Sequence, residues 1–324
     1  MNIIVLGAGT FGTSIANELA VNIANKVLIY SSNQQKVDEI NREHTNKSCF
    51  PNKSLIKNLK ATSERDHILI ADVIFIALPS KVILEYLSVL QSSFKEDVLL
   101  VNLSKGLLKG GVTILESISK ELGLNNVVTL KGPSFAIEVM DHADTLLTLG
   151  YENNSQYNII NSALEGTSLH IDSTTDVRGV ELLSVLKNVY ALVIGVVDAK
   201  YNSPNTRFMI LTKAFSEAKT FLKLLGGAED TLFLACGFGD LCMTSLNDLS
   251  RNRTLGLLIG KGFFSIGYKS NEVILEGLNA IETLHSLIED RFEEELPLFN
   301  RLYDFVLNEE DELEFTFDEL INKR

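Results

Sequence analysis

Ile3-Ile4-Val5-Leu6-Gly7-Ala8-Gly9-Thr10-Phe11-Gly12 is the stretch that decides the fold of this 324-residue chain. An apolar run leads into three glycines spaced as GxGxxG, and residues 15–23 then carry apolar side chains at helical spacing. In a strand–loop–helix of this kind Gly7 permits the tight turn, Gly9 lets the backbone approach a pyrophosphate, and Gly12 lets the helix pack on the strand. Free N–H groups at the helix N-terminus then face the phosphates. The stretch therefore predicts a dinucleotide-binding unit.

The rest of the chain divides into two parts of different character. The first part alternates helical segments with continuous runs of Val, Ile and Leu, which suit strands covered on both faces. The predicted strands are Ile3–Leu6, Lys26–Tyr30, Asp72–Ala77, Val98–Leu103, Val127–Leu130 and Thr145–Leu149. Their order predicts an α/β fold, with an N-terminal Rossmann-like, doubly wound parallel sheet followed by an all-α C-terminal domain. We place the boundary within residues 173–178, between a dinucleotide-binding domain (1–176) and a helical substrate and catalytic domain (177–324).

Composition and charge narrow the function. The chain is 45% hydrophobic and 22% charged, so it can bury sizeable cores. Its 29 basic and 42 acidic residues give a net charge of -13, which argues against nucleic acid and anionic membrane surfaces as partners. The cysteines and histidines form no disulfide framework and no metal-binding motif, so we expect no metal. The apolar run Val189–Val197 is too short to span a bilayer, and we expect a cytoplasmic protein with no stable membrane insertion.

The end of the second predicted strand bears on the choice of cofactor. An acidic residue there binds the ribose hydroxyls of NAD, and a basic residue favours the 2′-phosphate of NADP. The sequence Tyr30-Ser31-Ser32-Asn33 has neither. Its two hydroxyls and its amide could hydrogen-bond a ribose or a phosphate. Ser31 and Ser32 are therefore candidate cofactor contacts, and NAD and NADP both stay open.

Short motifs along the chain carry a family resemblance. In order they are Gly7–Gly12, Leu78-Pro79-Ser80, Ser104-Lys105-Gly106, Gly132-Pro133-Ser134-Phe135-Ala136, Gly179-Val180-Glu181-Leu182, Leu186-Lys187-Asn188, Asn205-Thr206, Gly239-Asp240-Leu241, Ser250-Arg251-Asn252-Arg253 and Glu276-Gly277. Over about residues 1–285 the chain resembles the NAD(P)-dependent glycerol-3-phosphate dehydrogenases of the bacterial type. The resemblance implies interconversion of a small phosphorylated three-carbon substrate, dihydroxyacetone phosphate, with sn-glycerol 3-phosphate, which supplies glycerophospholipid synthesis. We also expect a homodimer.

Phe11 fits the family pattern, since it fills a position that is usually Trp or another aromatic residue. The chain departs from that pattern at three places. Leu183-Ser184 replaces Gly-Gly inside the long helix, Pro204–Phe208 replaces Asp-Asn-Thr-Lys-Ala, and Lys213-Ala214 replaces Arg-Gly. These changes concern helix packing and one basic position near the predicted active site.

The predicted helix Val180–Ala199 is apolar at nearly every position, yet it carries Lys187. A lysine is almost never buried without a partner, so it either reaches the surface along its stem or serves a polar site. A buried ammonium suits ketone reduction, because it stabilises the charge developing on oxygen and donates the proton. Asp240 is the candidate partner carboxylate, with helix capping as the alternative. The resemblance adds Lys105, which follows a predicted strand, to the catalytic set.

The resemblance also assigns the remaining contacts. An arginine fork matches phosphate bidentately, so Ser250-Arg251-Asn252-Arg253 is a candidate phosphate site, and a helix surface with ordinary ion pairs is the alternative. The predicted substrate contacts are Lys105, Gly132, Ser134, Lys187, Asn205, Asp240, Thr244, Ser250, Arg251 and Asn252. The predicted cofactor contacts are Gly7, Gly9, Thr10, Phe11, Gly12, Ser31, Ser32, Lys105, Ala136, Arg251, Ile274 and Glu276.

Two other functions are compatible with the sequence. One is a dehydrogenase of the same architecture that acts on another small substrate, against which the arginine-containing motif argues. The other is a non-catalytic dinucleotide-sensing module, which would keep the three glycines without needing Lys187, Asp240 and Arg251 together. Oxidation of NADH or NADPH with dihydroxyacetone phosphate, and then with dihydroxyacetone, distinguishes these functions.

Overall fold

The computed structural model of the chain divides into two compact units. It describes residues 1–90, 94–263, 276–288, 295–307 and 313–318. The sheet unit comprises residues 1–104 and 114–177, and the helical unit comprises residues 105–113 and the described residues from 178 onward. The predicted boundary at residue 176 treated each domain as one continuous segment. Residues 105–113 instead belong to the helical unit, where Leu107 packs on the hydrophobic core.

The sheet unit contains one eight-stranded sheet with a hydrophobic core on each face. Its strands are β1 Asn2–Leu6, β2 Lys26–Tyr30, β3 Lys60–Thr62, β4 Val73–Ile76, β5 Leu99–Asn102, β6 Val127–Lys131, β7 Thr145–Gly150 and β8 Leu169–Thr174. Its helices are α1 Thr10–Leu19, α2 Gln34–Glu43, α3 Asp66–Leu69, α4 Ser80–Leu90, α5 Ile114–Leu122, α6 Ala136–Met140 and α7 Asn154–Leu164. The strand order β3-β2-β1-β4-β5-β6-β7-β8 is the doubly wound arrangement that the sequence predicted.

Alternate residues of the central strands pack on opposite faces of the sheet. Ile3 and Val5 of β1 share one core with Ile15 of α1. Ile4 and Leu6 of the same strand lie in the other core, which also contains residues of α4. Because both faces are covered, every position of such a strand must be apolar, and this requirement explains the continuous apolar runs.

Two strands and one strand pairing differ from the prediction. Strands β3 and β8, which form the two edges of the sheet, are not among the predicted strands, because β3 is short and β8 has a mostly polar sequence. Strands β6 and β7 pair antiparallel, whereas the other neighbouring pairs are parallel. A strand buried on both faces has the same apolar pattern in either direction, so the pattern alone does not reveal this reversal.

The helical unit is built around one buried helix. The helices of this unit are α8 Val177–Tyr201, α9 Pro204–Leu225, α10 Asp240–Leu246, α11 Arg251–Gly260, α12 Glu276–Ile288 and α13 Pro297–Leu307. Helix α8 is long and apolar enough to cross a membrane by length and composition alone, but its apolar window is entirely buried inside the protein. The run Val189–Val197 is therefore the middle of a core helix.

Helices α8 and α11 cross in direct backbone contact. A Cβ atom at Gly195 would lie 2.3 Å from the carbonyl oxygen of Arg253, and one at Gly256 would lie 2.1 Å from that of Leu192. Only glycine allows this close approach. The crossing therefore fixes the first turn of α11 against α8.

A buried carboxylate fixes the start of α13. Glu217 of α9 accepts hydrogen bonds from the backbone N–H groups of Leu298 (2.7 Å) and Phe299 (3.0 Å) and from the hydroxyl of Tyr190 (3.1 Å). These N–H groups lie at the helix N-terminus, where no helical carbonyl is within reach. Burial raises the pKa of Glu217 to about 7, although the backbone hydrogen bonds act in the opposite direction.

Candidate active site

The glycine loop of the sheet unit has the geometry that a pyrophosphate needs. Gly7 has a φ of +109°, and a Cβ there would lie 2.5 Å from the carbonyl oxygen of Ala77. A Cβ at Gly12 would lie 2.0 Å from the carbonyl oxygen of Gly7, whereas one at Gly9 would meet no atom of the described residues within 4 Å apart from its chain neighbours. Helix α1 begins at the exposed Thr10 with no side-chain cap among the described residues, so its N-terminal amides can serve a phosphate. The loop therefore fits a dinucleotide.

Two polar side chains donate hydrogen bonds to the backbone of this loop. The carbonyl oxygen of Ala8 accepts hydrogen bonds from Nζ of Lys36 (3.0 Å) and Nδ2 of Asn46 (3.2 Å). Neither residue was identified from the sequence, because both lie in separate segments that meet the loop only in the folded chain. Lys36 places a positive charge beside the loop.

The turn after β2 contains the residues that were predicted to distinguish NAD from NADP. Ser32 is exposed, and Oγ of the half-buried Ser31 accepts the backbone N–H of Asn33 at 3.2 Å. The side-chain oxygen of Asn33 caps α2 by accepting the N–H of Lys36. The amide considered in the sequence analysis is therefore partly occupied, and the turn contains no carboxylate that would select NAD.

A buried lysine at the end of β6 was also missed from the sequence. Lys131 is 1% exposed, and its Nζ donates hydrogen bonds to the carbonyl oxygens of Asn102 (3.0 Å) and Ser104 (2.5 Å). The predicted contacts Gly132 and Ser134 follow it directly, and the Ser134 hydroxyl donates to the Gly132 carbonyl at 3.1 Å. The predicted contact Ala136 is the first residue of α6. Lys131 thus secures the turn that precedes Lys105.

Four predicted residues of the helical unit meet in one cluster, the lysine–aspartate centre: Lys105, Lys187, Asp240 and Thr244. Oδ1 of Asp240 accepts hydrogen bonds from Nζ of Lys187 and, at 3.2 Å, from the hydroxyl of Thr244. Its Oδ2 lies 3.4 Å from Nζ of Lys105. The side chains of Asp240 and Lys187 are 0% and 5% exposed, and that of Lys105 is 23% exposed. Lys187 therefore does not reach the surface, and both carboxylate oxygens of Asp240 serve side chains.

The start of α10 explains why Asp240 is buried. The preceding residues 235–239 form a wide helical turn, in which a Cβ at Gly237 would lie 2.3 Å from the carbonyl oxygen of Leu232. This close packing brings Asp240, the first residue of α10, into the interior.

Burial and charge set the acidity of the lysine–aspartate centre. Burial lowers the pKa of the Lys187 ammonium from its ordinary 10.5 to about 7. The negative charge of Asp240 opposes this shift, and the positive charge of Lys105 adds to it. A group with a pKa near neutral pH can both donate and accept a proton, which suits reversible proton transfer.

The residues in and before the first turn of α11 differ in whether their side chains have structural partners. Ser250 caps the helix by accepting the N–H of Arg253, and the side-chain oxygen of Asn252 accepts the N–H of Gly277 at 3.3 Å. The guanidinium of Arg253, the last residue of the candidate phosphate motif, pairs with Asp198. Arg251 is exposed, and its side chain makes no hydrogen bond or ion pair to any residue that the structure describes. Ser250 and Asn252 thus each use a side-chain oxygen in a structural hydrogen bond, whereas no described contact occupies the side chain of Arg251.

The remaining predicted contacts lie elsewhere or outside the described residues. Asn205 is exposed in the first turn of α9. Glu276 begins α12, but its side chain is outside the described part of the chain, as is the whole of Ile274.

The fold and these sites define a class of protein. A doubly wound sheet with a pyrophosphate-binding loop, together with a helical unit containing a buried lysine of near-neutral pKa, is typical of a two-unit dehydrogenase that uses a dinucleotide. The models for the N-terminal and C-terminal parts of NAD-dependent glycerol-3-phosphate dehydrogenase match residues 2–157 and 176–316. The chain belongs to the NAD-dependent glycerol-3-phosphate dehydrogenase family.

Individual relatives agree with this membership. The glycerol-3-phosphate dehydrogenase (NAD(P)+) of Neorickettsia sennetsu is 33% identical over 288 residues, covering 89% of this chain and 84% of that protein. The enzyme of the same name from Methanothermobacter thermautotrophicus is 33% identical over 307 residues, covering 94% and 92%. The crystal structure of glycerol-3-phosphate dehydrogenase from Coxiella burnetii superimposes with a TM-score of 0.84 at 28% identity, covering 96% of this chain and 95% of that one. The predicted family, fold class, enzyme class and nicotinamide cofactor are confirmed, and the residue assignments stay predictions.

Proposed function

We propose that this chain catalyses the reversible reaction of dihydroxyacetone phosphate, NAD(P)H and a proton to sn-glycerol 3-phosphate and NAD(P)+, with Lys187 as the acid–base group. The product supplies glycerophospholipid synthesis. The observation that carries the proposal is the buried ion pair of Lys187 with Asp240, in a chain of this family.

Lys187 moves the proton in this mechanism. In the direction of reduction, its ammonium donates a hydrogen bond to the ketone oxygen and transfers the proton as negative charge develops there. The neutral amine takes the proton back from the alcohol in the direction of oxidation. A pKa of about 7 populates both forms near neutral pH, so both directions are served.

Asp240, Lys105 and Thr244 prepare Lys187 for this role. Asp240 fixes the position of the ammonium and partly restores its proton affinity against burial. The Thr244 hydroxyl orients the same carboxylate oxygen. Lys105 contributes a second positive charge on Oδ2, which holds the Lys187 pKa down and favours an anionic substrate.

The residues of the glycine loop would hold the nicotinamide dinucleotide. When bound, this cofactor supplies the hydride for the carbonyl carbon. The proposed cofactor contacts are Gly7, Gly9, Thr10, Phe11, Gly12, Ser31, Ser32, Lys105, Ala136, Arg251, Ile274 and Glu276. The open space beside Gly9 and the uncapped start of α1 support this assignment.

Arg251 is the proposed ligand of the substrate phosphate, assisted by Ser250, Asn252 and Asn205, with Gly132 and Ser134 as further substrate contacts. Its guanidinium is exposed and free of other described partners. Arg251→Lys keeps the charge but loses the planar fork, so it tests the assignment. We expect the KM for dihydroxyacetone phosphate to rise at least about tenfold, with little change in the poor activity toward unphosphorylated dihydroxyacetone. Equal losses with both substrates would mean that Arg251 serves the cofactor or the fold.

A cytoplasmic homodimer completes the proposal. Burial of the apolar window of α8 and the three free cysteines support a location in a reducing, aqueous compartment. The homodimer rests on the family resemblance. Light scattering of the purified protein tests it, and cell fractionation tests the location.

A further inference from the structure

Asp198 connects the first turns of two helices in the helical unit. It lies near the end of α8, and its side chain is 4% exposed. Oδ1 accepts a hydrogen bond from Nε of Arg207 at 2.5 Å, and Oδ2 pairs with the guanidinium of Arg253. Arg207 belongs to the first turn of α9 and Arg253 to the first turn of α11. One buried carboxylate therefore ties α8 to both helices.

Arg253 extends this network to two further partners. Its Nε donates to Oδ1 of Asp248 at 3.1 Å, and a terminal nitrogen donates to the carbonyl oxygen of Ser245, at the end of α10, at 3.1 Å. The Arg253 side chain is 8% exposed, whereas that of Asp248 is 84% exposed. The buried charge of Arg253 therefore depends chiefly on Asp198, because an exposed ion pair contributes little.

The network acts on the same turn that carries Arg251. The carbonyl oxygen of Arg253 lies 2.3 Å from where a Cβ of Gly195 would be, so the backbone of Arg253 packs directly on α8 about one turn before Asp198. The backbone contact and the ion pair together hold the turn Ser250-Arg251-Asn252 in a single position on α8. A buried arginine left without its carboxylate would move toward water and take this turn with it.

We propose that Asp198 is a positioning residue for substrate-phosphate recognition: by pairing with Arg253 and Arg207, it fixes the first turn of α11, and with it Arg251. This inference rests on the proposed role of Arg251. It assigns to Arg253, the last residue of the candidate phosphate motif, a supporting function.

The effect of Asp198 should be separable from the proton transfer. Asp198 follows Lys187 by about three turns of α8, roughly 16 Å along the helix axis. Neither of its described partners, Arg207 and Arg253, belongs to the lysine–aspartate centre. Loss of the Asp198 charge should therefore weaken recognition of the phosphate and leave the acidity of Lys187 unchanged.

Asp198→Asn is the principal test, because it removes the charge at nearly constant shape. We expect the KM for dihydroxyacetone phosphate to rise at least about tenfold. The kcat/KM for dihydroxyacetone and the dissociation constant of NADH should stay within about twofold of wild type. The pH midpoint of kcat should stay within a few tenths of a pH unit, roughly the same factor in proton affinity. Asp198→Glu, which restores the charge, should recover part of the phosphate preference.

Two further variants keep the test decisive. Asp248→Asn removes the exposed partner of the same arginine and should leave every parameter near wild type. Arg207→Ala removes a partner whose side chain is 28% exposed, and this variant stands in for Asp198→Asn if the latter does not fold. We expect Arg207→Ala to raise the KM for dihydroxyacetone phosphate selectively, by a smaller factor.

The outcomes separate this inference from the proposed function. A selective loss in Arg251→Lys together with an unselective loss in Asp198→Asn, or in Arg207→Ala as its substitute, overturns the role of Asp198 and leaves the proposed function intact. An unselective loss in Arg251→Lys instead overturns the phosphate assignment itself. Selective losses in both support the inference, and a shifted pH midpoint in Asp198→Asn contradicts it.

Discussion

Asp240→Asn should change the pH dependence of the enzyme as well as its rate. The substitution removes the only negative charge that the lysine–aspartate centre contains, and it leaves Lys187 buried beside Lys105. Loss of an opposite charge at contact distance lowers a lysine pKa by about 1–3 units. Starting from a pKa of about 7, the protonated fraction of Lys187 at neutral pH falls from about a half to between about a tenth and a thousandth. Reduction of dihydroxyacetone phosphate at neutral pH should slow by a matching factor, and its midpoint should move to lower pH.

Initial rates of NADH and NADPH oxidation with saturating dihydroxyacetone phosphate, from about pH 5 to about pH 9, measure this change. In this direction Lys187 must carry the proton, so the wild-type rate should fall as the pH rises through about 7. The Asp240→Asn profile should fall at lower pH and recover part of its rate in acid. Asp198→Asn, which removes another buried and ion-paired carboxylate, should keep the wild-type midpoint. A uniform loss of rate in Asp240→Asn with an unchanged midpoint would refute the electrostatic role of Asp240.

Three further predictions follow from the same structure. Gly9→Val should fold but lose NAD(P)H binding, because its side chain would enter space that the described residues leave open around Gly9; normal cofactor titration by fluorescence would contradict this. Lys105→Met should move the midpoint of reduction to higher pH, since Lys105 lowers the pKa of Lys187, and an unchanged midpoint would count against it. Because the pKa of Glu217 is raised in the folded state, this residue contributes to the free energy of unfolding. The contribution, on the order of 3 kcal/mol, is fully present below about pH 4.5 and is lost as the pH rises through about 7. Urea unfolding at several pH values should show this slope in the wild type and a flatter one in Glu217→Gln; equal slopes would disprove the assignment.

The sheet was predictable wherever burial on both faces forces a continuous apolar run. This holds for β1, β4 and β5, whose residues fill two cores. It fails at the edges of the sheet, where β3 and β8 are short or polar. It also fails for the direction of β7, because strand direction depends on the path of the connecting chain and leaves no mark on the apolar pattern.

The candidate site was predictable where a charged residue interrupts an apolar element. Lys187 within α8 gave this signal, and the structure pairs it with Asp240 as expected. Asp198 and Lys131 give weaker signals, because each lies near the end of its element, where a polar residue usually faces water. Their roles depend on partners distant in sequence, such as Arg253 for Asp198. Composition and spacing contain no information on these pairings.

The most direct test of the account compares wild-type enzyme with Lys187→Ala, using dihydroxyacetone phosphate and each of the two reduced cofactors. Wild type should oxidise NADH, NADPH or both in a reaction that requires this substrate. Lys187→Ala should bind the cofactor with an unchanged dissociation constant. Its kcat should fall by about 10²–10⁴-fold, because the buried ammonium is the proton donor. A folded Lys187→Ala variant that keeps more than about half of the wild-type kcat would contradict the assignment of Lys187 as the acid.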